Sequence, residues 1–345
     1  MQHKDKRLLF ADSLRVLATI SVILIHVSGP ILYKYGHISN STWWMGNIFD
    51  SSARFGVPIF LMLTGALILP RTIEIKSFFQ KRISRIVYPF LFWSIIYIIR
   101  DLIIKVHAGN DMSVYEIYKF VFIRLKDGAS YHLWYVYMII GIYLIFPVIG
   151  KWVLKSSNKE ISYYIIIWII VILLDLPLFD KYRSSINVSY FSGFLGYPIL
   201  GYLLTTKFKH KRIKLFSILL FISGVLITII GTYLLTKSSG QFNDYLYSYL
   251  SPNIIMASAG LFLFFGHTNS EIKIFSSATN IIGKYSYGIY LSHVFILYFL
   301  SLAGITWTFI NPFIGIPLTT ILCLTISLFT TYLINKIPYG NYVSG

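Results

Sequence analysis

Eleven residues apart on one apolar stretch stand a guanidinium and an imidazole, Arg15 and His26. On a helix that spacing puts both within about 20° of the same face and about 16 Å apart along the axis. An imidazole can take up and release a proton near neutral pH, and a guanidinium can hold an oxyanion. Such a stripe could abstract a proton at one level and stabilise charge at another. Ionisable groups inside an apolar span cost about 2.5–3.5 kcal/mol on insertion scales and mark function. Asp12 lies three residues before Arg15 and can pair with it. The plainer alternative is an interfacial Asp12–Arg15 ion pair, with His26 bonded to a neighbouring backbone.

Other candidates follow along the chain. Arg82 and Arg85 share a helix face, and two guanidinium forks suit a phosphate-bearing ligand; on spacing alone, positive charge beside lipid headgroups is the simpler account. The run Gly56-Val57-Pro58-Ile59-Phe60-Leu61-Met62-Leu63-Thr64-Gly65 offers small residues for close helix approach and a proline that can free a backbone carbonyl. Packing alone would explain each of these residues singly. Arg54, just before the run, belongs at an outer mouth or in a polar cavity. His132-Leu133-Trp134-Tyr135 opens another apolar run at the outer interface. An aromatic belt explains Trp134 and Tyr135 but not His132. Tyr287-Gly288-Ile289-Tyr290-Leu291-Ser292-His293 places a further histidine inside a span, with a packed, hydrogen-bonded ring as the plain alternative. The single cysteine, Cys323, leaves no disulfide framework and no Cys-based metal site, and no metal is expected.

The elements that must position these residues are membrane helices. Of the 345 residues 56% are hydrophobic and only 12% charged, about half the charged share of a soluble domain. That composition excludes a disordered chain, a nucleic-acid-binding module and an ordinary soluble enzyme. Uncharged runs at 16–33, 128–150, 184–206, 215–236 and 245–266 approach the length of a span. The run 285–335 divides near Gly304 or Asn311-Pro312 into two helices, and 55–70, 86–99 and 161–174 complete the set. The fold expected is all-α, a bundle of about ten transmembrane helices forming one domain over 1–345.

Nineteen of the 30 lysines and arginines fall in alternate loops: the N-terminus, 71–85, 151–159, 207–214, and Lys273, Lys284 and Lys336. Positive loops stay cytoplasmic, so both termini are expected there, and the net charge of +17 is mostly this topology signal rather than a sign of nucleic acid. Asp12 and Arg15 interrupt the first apolar run and no A-x-A-like site follows, so the N-terminus reads as a retained helix. Within the 100–131 segment, Tyr115, Tyr118, Phe122 and Leu125 recur at helical spacing, as in an amphipathic helix lying on the membrane.

Taken in order, these residues resemble the acyltransferase 3 family of integral membrane O-acyltransferases. The carriers are Asp12-Ser13-Leu14-Arg15 followed after ten residues by His26, then Phe60-x3-Thr64-Gly65, Arg82-x2-Arg85, His132-Leu133-Trp134-Tyr135 and Tyr287-Gly288-Ile289-Tyr290. The chain ends at Gly345 without an appended hydrolase-like domain, similar to the stand-alone acetyltransferases of surface polysaccharides and lipid-linked glycans. The resemblance implies a cytosolic acyl-CoA donor, most often acetyl-CoA, as co-substrate, with no permanently bound cofactor. It implies a hydroxyl acceptor on a glycan or lipid-linked sugar and a place in the bacterial cytoplasmic membrane. It also implies that Arg15 and His26 are needed for activity and that Arg82 and Arg85 serve the donor.

On this reading His26 deprotonates the acceptor hydroxyl or carries the acyl group in relay. Arg15 holds the thioester end or the oxyanion, while Asp12, Arg54, Thr64, His132, Trp134, Tyr287 and His293 are supporting residues. The competing class is a transporter or flippase moving a glycan or acyl donor without chemistry. Such a protein would more often show two related halves with matching broken helices. The sequence names neither acceptor nor oligomeric state.

Overall fold

Backbone inside a bilayer has no water to satisfy it, so each span must close its own N–H and C=O groups, and the long uncharged runs fold as helices. The computed structural model of the chain describes residues 2–110, 112–176, 193–206, 213–267 and 276–345. The helices are α1 (Gln2–Leu32), α2 (Asn40–Ala53), α3 (Gly56–Ile68), α4 (Ile75–His107), α5 (Val114–Asp127), α6 (Trp134–Lys155) and α7 (Asn158–Leu174). They continue as α8 (Gly196–Thr206), α9 (Ile213–Ser239), α10 (Pro252–His267), α11 (Ser276–Leu302), α12 (Pro312–Lys336) and the short α13 (Asn341–Ser344). Single 3-10 turns, Tyr131–Leu133 and Tyr245–Tyr247, precede α6 and α10.

Among the described residues eight helical segments are long and apolar enough to cross a membrane, which makes this a multi-pass membrane protein. They match eight of the expected runs, including the division of 285–335 into α11 and α12. Of the other two, α7 has 17 residues, at the lower limit of a span, and α8 has 11 among the described residues. Residues 184–192 of the expected 184–206 helix, together with Lys207, Lys209, Lys211, Arg212 and Lys273, lie outside the described residues.

Two local expectations change. The 55–70 run is the second half of a bent unit, Asn40–Ile68, that turns at Arg54-Phe55. Pro58 therefore sits in the first turn of α3, where its missing N–H would have had no helical partner, and it frees no interior carbonyl. The 71–85 segment is not a loop throughout, because Glu74 caps α4 by accepting from the Ser77 N–H at 3.2 Å. Arg82 and Arg85 thus lie on the second and third turns of a 33-residue helix.

α1 is the hub, packed against α2, α3, α10, α11 and α12. In its most apolar window 61% of residues are buried, against 22% for the peripheral α9, whose remaining surface is free to face lipid. The amphipathic helix expected in 100–131 is α5. It carries a capping box of Ser113 and Glu116, has no buried residue, and is tied to α4 by the Arg124–Asp101 ion pair. α3 and α8 meet backbone to backbone: a Cβ on Gly65 would fall inside the Pro198 carbonyl, and one on Gly201 inside that of Met62. Gly65→Val is expected to lower stability by about 1–3 kcal/mol. Thermal unfolding of the detergent-solubilised protein reads this, and an unchanged midpoint would contradict the close approach.

Candidate active site

Because α1 is one continuous helix, the spacing of Arg15 and His26 translates directly into position, about 16 Å apart along its axis. They serve different neighbourhoods. At the N-terminal end Arg15 Nη1 lies 2.5 Å from Asp12 Oδ1, the pairing expected from their spacing. Asp12 in turn faces Gly283 of α11. Nearby, the Arg82 guanidinium sits 5.9 Å from the centre of the Tyr143 ring, and Arg15 is close enough for its charge to reach the same tyrosine. Thr64 belongs to the same neighbourhood: its Oγ1 donates back to the Phe60 carbonyl at 2.8 Å and lies within hydrogen-bond reach of the Tyr143 hydroxyl.

A surface cavity of about 300 Å³ opens between the end of α3 and the start of α4. Arg71, Lys81, Arg82 and Arg85 line it, with Glu74 as the acidic member, so its wall carries three net positive charges. The Ser77 side chain and then its backbone N–H hold the Glu74 carboxyl below the usual carboxylate range. Tyr287, one of the expected supporting residues, reaches this region instead of the histidines: its hydroxyl donates to the Ile86 carbonyl at 2.9 Å, tying α11 to α4.

About two and a half turns beyond the middle of α1, His26 meets two other histidines. Its ring stacks on His293 with centroids 5.1 Å apart, and His132 closes the group at 5.0 Å from His293 and 6.4 Å from His26. His26 is only half-buried, whereas His132 and His293 are fully buried. His132 is therefore a core residue of the 3-10 turn that leads into α6. Its Nδ1 lies 3.1 Å from Ser130 Oγ, and its carbonyl accepts from the Tyr290 hydroxyl. His293 Nδ1 is 2.6 Å from the Tyr290 carbonyl. A carbonyl only accepts, so Nδ1 carries the proton and Nε2 keeps its lone pair. That Nε2 is buried with no hydrogen-bond partner among the described residues. Trp134 lies outside the trio, stacked on Tyr249.

Arg54 joins the site from the α2–α3 bend. Its Nε is 2.5 Å from Asp50 Oδ1, its guanidinium covers the Tyr247 ring at 4.2 Å, and its charge reaches His26. Asp50 is fully buried and also accepts from Ser28 Oγ at 3.2 Å. Tyr247 is fixed by Asn47 Oδ1 at 2.7 Å and Ser51 Oγ at 3.0 Å. Here a second cavity, of about 370 Å³, opens between the C-terminal end of α1 and the Tyr245–Tyr247 turn. The two cavities lie at opposite ends of α3, since Arg54 lines one and Leu67 the other. Thirteen helical residues separate them, about 20 Å.

The fold thus gathers His26, His132 and His293 with Arg54 at one level, and Arg15, Asp12, Arg82 and Arg85 at another. Asp50 and Tyr247 were not singled out from sequence, and Tyr290 was named only as part of the Tyr287-Gly288-Ile289-Tyr290 run. Asp50 carried a signal, a carboxylate four residues before Arg54 in an otherwise uncharged stretch. Tyr247 carried none, being one of 27 tyrosines.

Comparison with known proteins bears on what this arrangement does. A protein of Acidianus two-tailed virus described as "Putative acetyltransferase ORF330" is 27% identical over 263 residues, covering 72% of this chain and 75% of the viral one. No solved structure matches. The family model described as an acyltransferase domain matches residues 8–332, the helices that carry both levels of the site, and the chain belongs to the acyltransferase 3 family.

Proposed function

We propose that this acyltransferase is an O-acyltransferase that moves an acyl group, acetyl in the first instance, from cytosolic acyl-CoA to a hydroxyl of a cell-surface glycan or lipid-linked sugar. The observation that carries the reading is the half-buried His26 imidazole, backed by His293, on the helix that also bears Arg15, between a basic cavity and an aromatic one. The chain works as a single unit of the bacterial cytoplasmic membrane with both termini cytoplasmic. The basic cavity is then the donor mouth.

In the reaction the acceptor hydroxyl oxygen attacks the thioester carbonyl carbon while His26 takes the hydroxyl proton. The C–S bond breaks, and the departing CoA thiolate receives that proton. Arg15 steers the thioester end of the donor, and Arg82 and Arg85 hold its phosphates. The long pantetheine arm covers the distance from the basic mouth to His26. Incubating the purified protein with radiolabelled acetyl-CoA and host surface glycan tests this: label is expected in the glycan. Uptake of unmodified acetyl-CoA into vesicles without labelled glycan would replace the reading by transport.

The donor assignment makes its own prediction. Arg82→Ala with Arg85→Ala removes two charge-assisted contacts to phosphate at a solvent-screened mouth, together worth about 1.5–3 kcal/mol. The apparent KM for acetyl-CoA is expected to rise roughly 10–100-fold with kcat little changed. An unchanged KM would return both arginines to lipid headgroup contact.

A further inference from the structure

We infer that the cavity beside Arg54 is a subsite for an uncharged saccharide unit, and that it selects against uronate and phosphate at that position; that this saccharide is the acyl acceptor rests on the acyl-transfer reading above. Charge is the first ground. Among the described residues the ionised groups on its wall are Arg54 and Asp244, and Asp50 lies buried behind Arg54. One positive and two negative charges leave the site one unit negative. The basic cavity at the other end of α3 is three units positive. An anionic ring would be drawn to the latter and would meet an already neutralised guanidinium and a carboxylate in the former.

Shape and lining are the second ground. Phe242, Tyr245, Tyr247 and Tyr33 supply ring surface, with Tyr33 edge-on to Phe242 at 5.0 Å and Phe242 to Tyr247 at 5.6 Å. Tyr247 and Arg54 are locked in place by the Asn47, Ser51 and Asp50 contacts. A pyranose has an apolar C–H face that packs on aromatic rings and a rim of hydroxyls that both donate and accept. Ring faces beside a carboxylate and a guanidinium match both features. A lipid acyl chain would cover the Asp244 carboxylate without offering it a polar partner. The volume of about 370 Å³ falls in the range of small-ligand sites.

Position is the third ground. Gly29 lines the cavity three residues after His26, about 4.5 Å further along α1. A sugar seated there presents a hydroxyl within one helical turn of the imidazole.

Saturation-transfer NMR on the full chain in lipid nanodiscs tests the subsite without requiring turnover. The probes are cellotetraose and tetragalacturonate at equal concentration. Saturation is expected in cellotetraose and at least fivefold less in the uronate. Phe242→Ala should abolish the cellotetraose signal. Asp244→Lys, which keeps the aromatic packing, should bring the uronate signal up to or above that of cellotetraose. No saturation in either probe, equal or stronger saturation of the uronate by the unaltered protein, or signals unchanged in both variants would each overturn the proposal. If cellotetraose binds as expected while labelled acetyl-CoA transfers nothing to host glycan, the acyl-transfer reading falls and the saccharide site stands.

Discussion

Protein carrying His26→Ala is expected to lose acyl transfer from labelled acetyl-CoA by about 10²–10⁴-fold, the usual contribution of a positioned acid–base group. His26 is the one histidine of the trio that is only half-buried, so it is the member a substrate can reach. His132 and His293 are sealed behind it, at centroid distances of 6.4 and 5.1 Å. Because His26 is partly exposed, its truncation leaves the buried pair and the helix contacts of α1 in place, and thermal stability should change little. Loss of transfer with an intact melting profile is the informative outcome. A variant that transfers acetyl at the unaltered rate would remove His26 from the chemistry and leave the trio as packing.

The second large effect concerns stability. Asp50→Ala would strip the Arg54 guanidinium of its carboxylate partner at a site where Asp50 is fully buried. Breaking a buried pair from one side costs about 3–5 kcal/mol, because the remaining charge stays uncompensated. Replacing both members by apolar residues of similar volume is often neutral. Asp50→Leu combined with Arg54→Met should therefore recover most of the loss, while emptying the cavity wall of its guanidinium. Denaturant unfolding in detergent measures both variants. A single-variant loss below about 1 kcal/mol would place the pair in contact with water, as exposed ion pairs contribute no more than that.

Much of this arrangement is legible before folding is considered. The Asp12–Arg15 pair and the Arg15–His26 stripe follow from helix periodicity alone, because an uninterrupted helix converts residue number into angle and height. The amphipathic α5 and the division of 285–335 were equally readable, since each depends on local pattern and local breakers. The close approach at Gly65 was visible as a small-residue run, although its partner, Pro198 of α8, was not. Boundaries were less legible. The 71–85 segment looked like a loop because it is charged, yet Glu74 starts a helix there and carries the arginines on it. The bent pair α2 and α3 read as one short run, 55–70, because the turn at Arg54-Phe55 has no local signature.

The sequence by itself determined the material of this protein: a multi-pass helical chain whose few intramembrane charges are costly and therefore conspicuous. It also determined which side chains could do chemistry. Only the tertiary structure decided which of them meet. His26, His132 and His293 are separated by more than a hundred residues at each step, and nothing in local periodicity links them. Their contact depends on α1, α11 and the turn before α6 packing around one axis. The same packing buries Asp50 against Arg54, lays Arg54 over Tyr247, and separates a basic cavity from an aromatic one along α3. Helix periodicity fixes where a side chain points around its own axis; which neighbour it then faces is set by how helices pack against one another.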